Sequence, residues 1–139
     1  MPKAEELSVK EVEYITFRLA RQWLTFNEPI PDFETRYPNR LESCLETPFQ
    51  TFDRKSLYPS LAGKAAALFY FIIKDHPFQN GNKRIAMTSL LTLLYKNKKW
   101  LKVDTKEFYN FAMWVTQSPA EAKDETIEAT EKFIRKHLA

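Results

Sequence analysis

The hydrophobic and polar positions of this chain resolve into helical stretches separated by short punctuated ones. Val12, Ile15, Leu19 and Trp23 recur at helical spacing behind Ser8 and Glu11, an S-x-x-E capping box whose serine satisfies an orphan amide. Pro29 and Pro31 stop this helix, and an irregular, proline-marked stretch follows. A short second helix is predicted from about Asn39 to Glu46, ended by Pro48. From Pro48 to Tyr58 the helical period is lost. Phe49, Thr51 and Phe52 suit an extended segment there, a small flap or hairpin.

Pro59 then precedes Ser60, a good N-cap, and the pattern from Leu61 to about Asp75 is apolar on nearly every face (Ala65 to Phe69, Phe71 to Ile73). A helix apolar all round is the central one of its bundle. Pro77 disfavours helical geometry at His76, and Gly81 marks a tight turn. A further helix is expected from Asn82 to about Asn97, with Ile85, Leu90, Leu93 and Leu94 in the core. Trp100–Val103 suits a short extended piece. Asp104 and Glu107 open the next helix, which carries Phe108, Phe111 and Trp114. Ser118 is predicted to cap the last helix, with Pro119 at its first position and Glu121 closing a second capping box.

Composition narrows the class. A length of 139 residues points to one domain, and 44% hydrophobic residues exclude disorder. Only 2 glycines favour a compact helical chain with few irregular loops. A net charge of +3 is too small to argue for nucleic-acid binding, yet it would not repel an anion. Cys44, the single cysteine, has no internal partner and fits a reducing compartment; its helical setting reads as a buried structural thiol. Neither a signal-peptide pattern nor an apolar run near 18 residues is present, so a soluble, cytoplasmic protein without membrane contact is expected. His137 is expected to be solvated, the three tryptophans to be core, and Lys96, Lys98 and Lys99 to complement a helix dipole. Metal-site spacing of the Cys/His type is absent.

The run His76-Pro77-Phe78-Gln79-Asn80-Gly81-Asn82-Lys83-Arg84 carries the candidate chemistry. A buried helix delivers His76 to the surface, and a second helix starts at Asn82. The first amides of a helix lack internal partners and carry partial positive charge, which makes an anion site. Lys83 and Arg84 add a point charge and a bidentate fork. His76 has an unperturbed pKa near neutrality. A base beside a phosphate cradle suits phosphoryl or nucleotidyl transfer to a hydroxyl. The plain alternative is a helix-end histidine and a solvated turn.

This run resembles the H-x-F-x-(D/E)-(G/A)-N-(G/K)-R signature of the Fic/Doc superfamily, and the upstream Leu57-Tyr58-Pro59-Ser60-Leu61-Ala62 is similar to the segment preceding the motif in its death-on-curing (Doc) branch. The resemblance implies an all-α bundle of about six helices with a small extended flap, residues 1–139 forming one domain. It implies His76 as general base, Gly81, Asn82, Lys83 and Arg84 as phosphate-holding residues, and Phe78 as the loop's structural anchor. It places the flap at Pro48–Asp53, so that Thr51, Phe52 and Asp53 line up a target's backbone. It implies ATP, or another nucleoside triphosphate, as co-substrate, with Mg²⁺ at position 80, where Asn80 replaces the usual Asp or Glu. Lys83, where the AMP-transferring branch usually has glycine, favours a protein kinase of the Doc type. The partners then expected are a protein target, such as a translation elongation factor, and a small antitoxin. AMP transfer of the Fic type, or a catalytically weak nucleotide- or protein-binding module, are the alternatives. An internal inhibitory helix of the form (S/T)-x-x-x-E-(G/N) is not found, because no Ser or Thr has Glu four residues later.

Overall fold

The computed structural model describes residues 4–16, 18–20 and 32–139. Helix α1 (Val9–Glu11) starts on the expected box: Ser8 Oγ accepts from the Glu11 amide at 3.1 Å, and the Glu11 carboxylate accepts from the Ser8 amide at 3.0 Å. The helix then widens into a π-turn, Val12–Thr16. Val12 is buried, whereas Leu19 is exposed. The expectations for Ile15, Trp23, Pro29 and Pro31 lie outside the described residues and side chains.

Helix α2 (Pro38–Glu46) buries Leu41, Cys44 and Leu45, and a 3-10 turn, Thr47–Phe49, continues from it through the buried Pro48. Phe49 therefore belongs to a helical turn and not to the flap. The flap itself is a hairpin of β1 (Thr51–Phe52) and β2 (Lys55–Ser56), paired antiparallel with Phe52 opposite Lys55.

Helix α3 (Leu61–Asp75) forms the centre. Ser60 Oγ caps it by accepting from Gly63 N at 2.9 Å, and every residue from Ala62 to Ile73 is buried. It packs on α4 (Asn82–Lys96), α5 (Thr105–Gln117), α6 (Lys123–His137), α2 and the 3-10 turn. Gly63 lets α6 approach closely: a methyl there would come within 2.8 Å of Glu131 Oε1, whose side chain would have to shift. The expected all-α bundle, with one small two-stranded sheet, is what the chain forms. Among the described residues no helix is long and apolar enough to cross a membrane.

Three expectations fail for identifiable reasons. Ser118 does not cap the last helix. Its hydroxyl donates to Val115 O, its carbonyl accepts from Lys74 Nζ, and a 3-10 turn, Ala120–Ala122, precedes α6. Trp100 and Trp114 are half-exposed rather than core, Trp100 meeting Tyr95 edge to face and Trp114 tilted against Phe111. His137 is not solvated: its ring lies 4.6 Å from that of Phe133, and Nε2 is 3.7 Å from Glu107 Oε1.

Lys96 does more than complement a dipole. Its Nζ meets Glu11 Oε1 at 2.7 Å, both side chains being 29% exposed, and so ties α4 to α1. Burial alone would raise the Glu11 pKa, but hydrogen bonds from Lys96 and Ser8 outweigh it and hold the carboxyl below its ordinary range. A depressed folded value stabilises at neutral pH and is lost as pH falls through that value. Glu11→Gln is expected to lower stability at pH 7 by under about 1 kcal/mol. In urea titrations the deficit should shrink below the free glutamate value of about pH 4.3; a deficit unchanged with pH would place the effect elsewhere.

Candidate active site

The loop between α3 and α4 is held from three directions. His76 caps α3 in the left-handed region (φ 50°, ψ 63°); the following proline disfavours right-handed helix at this position, and the His76 side chain is exposed. The Tyr37 amide donates to Pro77 O at 2.7 Å, and Arg40 Nη1 lies 3.5 Å from His76 O, so the start of α2 walls the loop. Phe78 is 1% exposed, its ring 5.9 Å from Phe33, whose other neighbour is the Arg36 guanidinium at 4.2 Å.

Asn82 closes the loop from within. Its Oδ1 accepts from Phe78 N at 3.0 Å and its Nδ2 donates to Phe78 O at 2.9 Å, which fixes the amide's orientation. The same Nδ2 stands 3.4 Å from His76 Nδ1. As a hydrogen bond this contact selects the tautomer with its proton on Nε2, but at 3.4 Å it is weak. A half-turn of the exposed ring would release Nδ1. Gly81 turns the chain at φ 76°, and α4 begins at Asn82. Its first turn carries Lys83, half-buried, and Arg84, 6% exposed.

The six residues from His76 to Gly81 thus join a solvent-facing imidazole to a helix N-terminus bearing two cations. Such a terminus attracts anions through its unpaired amides and dipole. The Asn82 side chain is spent on the Phe78 backbone, so what Asn82 can offer a phosphate is its main-chain amide. Thr51, Phe52 and Asp53 belong to the hairpin, whose feet meet Lys64 in the first turn of α3. Those feet lie at the start of α3, whereas His76 follows its end, about 18 Å along the axis at 1.5 Å per residue.

Sequence reasoning missed the wall made by Phe33, Arg36, Tyr37 and Arg40. No local signal marks it, because its contacts span some 36 to 45 positions. Beside it an open depression of about 580 Å³ is lined by Asn39, Arg40, Ser43, Lys74, Asp75 and His76. Lys74 is engaged by Thr116 O and Ser118 O, which leaves Arg40 as the cation facing it.

A family model described as the Fic/DOC family matches residues 6–94. The chain belongs to the Fic/DOC family. The match runs from just before the capping box of α1 to the last turn of α4 and so contains the whole loop. No curated protein and no solved structure matches the chain. Fic/DOC membership makes the chain one of a family of transferases, which move a nucleotide-derived group to a target.

A resident magnesium ion does not fit this loop of the Fic/DOC chain. Mg²⁺ favours carboxylate oxygens, and position 80 offers a neutral amide whose Oδ1 already accepts from Gly81 N at 3.0 Å. No group of three Asp, Glu, His or Cys side chains suited to a metal occurs among the described residues.

Proposed function

We propose that the protein is a Doc-type kinase, transferring the γ-phosphoryl group of ATP to a hydroxyl on another protein, and that it acts as the toxin of a toxin–antitoxin pair in the cytoplasm. One observation carries this reading: an exposed His76 whose ring stands 3.4 Å from Asn82, the residue that opens a helix N-terminus carrying Lys83 and Arg84. The triphosphate lies against the first amides of α4 with the two cations beside it. His76 takes the proton of the target hydroxyl, its oxygen forms the new P–O bond, and ADP leaves as the bridging bond breaks. The target's backbone is aligned by Thr51, Phe52 and Asp53. Lys83 supports phosphoryl over AMP transfer, since its side chain fills space that a glycine would leave to the nucleotide. A translation factor suits the target role, and an antitoxin that folds on binding suits the absent internal brake.

The test uses the purified protein, candidate translation factors and ATP labelled at the γ- or α-phosphate. Label from γ supports the kinase. Label from α would instead make it an AMP transferase. Asn80 favours one further reading, a weak binding module, which predicts label from neither.

Asn80→Asp is expected to tighten magnesium-dependent ATP binding, since it supplies a charged ligand of nearly the same size. Calorimetric titration with and without Mg²⁺ checks this. Equal affinity for both proteins would remove position 80 from metal binding.

A further inference from the structure

The hairpin cannot fix its own position. All residues from Thr51 to Leu57 are exposed, Phe52 at 75%. Two-stranded hairpins are marginal in water without support from a third element. The turn adds strain of its own: Asp53 (φ 53°) and Arg54 (φ 65°) both sit in the left-handed region that a two-residue turn demands and that Asn-Gly would fill better. Whatever holds the hairpin upright must act at its feet.

Both feet meet one side chain. Lys64, in the first turn of α3, is 8% exposed. Its Nζ donates to Tyr58 O, just beyond β2, and lies 5.8 Å from the centre of the Phe49 ring, just before β1. Phe49 and Tyr58 are themselves packed against the core. Between these feet the Leu57 amide donates to Gln50 O at 3.1 Å, which closes the hairpin's base. Burial depresses the Lys64 pKa, as expected for an ammonium withdrawn from water. A carbonyl and an aromatic face both compensate a buried ammonium without a counter-charge.

We infer that Lys64 is a positioning residue, a clasp that draws the two feet of the hairpin onto α3 and thereby sets the stance from which the hairpin meets the protein target. The role of the hairpin in target alignment rests on the function proposed above; the clasp itself does not. Lys64→Met keeps length and volume but removes the ammonium. Amide hydrogen exchange on the full chain should show faster exchange of the Gln50–Leu57 segment, by about tenfold, with α4 and α5 amides unchanged. In transfer assays KM for the protein substrate should rise about tenfold, with kcat and KM for ATP unchanged, and Lys64→Arg should restore most of the loss. Unaltered exchange in the hairpin, or faster exchange spread evenly through the bundle, would overturn the clasp. If the methionine variant does not fold, Phe49→Leu removes the ring alone, and hairpin exchange two- to fivefold faster is expected; none would count equally against it. If the unaltered protein transfers nothing, the functional reading fails and the exchange result still decides the clasp.

Discussion

His76→Ala is expected to lower the rate of transfer by at least about 100-fold, the lower range for loss of a general base, while thermal unfolding stays within about 0.5 kcal/mol of the unaltered protein. The two halves follow from one fact. The imidazole is exposed, so truncation opens no cavity and strands no buried group. Its one polar side-chain contact, at 3.4 Å from Asn82, is too long to contribute much. The strain of the left-handed backbone at position 76 is shared by histidine and alanine. The loop should therefore keep its shape, its grip on Phe78 and its affinity for ATP. Initial rates with γ-labelled ATP, paired with unfolding curves, make the comparison. Activity within a few fold of the original would take His76 out of the mechanism.

Phe78→Ala should do the reverse: a loss of about 3–5 kcal/mol in stability and of activity only as a consequence. Phe78 is among the largest fully buried side chains, packed near Phe33 at the point where the loop enters the core. Removing its ring forfeits the transfer energy of the side chain and leaves a cavity that the rigid α3–α4 pair cannot collapse into. Against a typical total of roughly 5–15 kcal/mol the change is large, and the midpoint should fall by about 10 °C or more. A shift of only a degree or two would mean that Asn82 and Tyr37 hold the loop without the ring.

The contrast between these two neighbours shows which parts of the molecule can be read along the chain. Ser8 with Glu11, Ser60 before an apolar run, and Asp104 before Thr105 are local devices, and each starts a helix as read. The motif loop was legible in its residue types and in its place between two helices. Its fixation was not, because Tyr37 reaches Pro77 and Arg40 reaches His76 across stretches that carry no periodic signal. The family resemblance implied a phosphate-holding role for Asn82, and only the geometry shows its side chain committed to Phe78. Ser118 misled for a related reason: a hydroxyl two residues before an acidic, polar run suits a cap, but the end of α5 claims it first. Trp100 and Trp114 misled because size predicts contact area and not enclosure; each touches one neighbouring ring and leaves close to half of its surface to water.

Cys44 gives the molecule a property apart from any activity. It is the only thiol, it is fully buried on α2, and burial, together with the Asp75 carboxylate 3.9 Å away, pushes its ionisation far above the ordinary thiol range. A thiolate is the species that reacts with alkylating reagents, so the folded chain is inert to them and the opened chain is not. Because α2 is also the wall of the motif loop, an opening that lifts α2 from α3 would bare this sulfur and take the backing from His76 together. The molecule thus carries a one-atom chronometer for the opening of its own candidate active site.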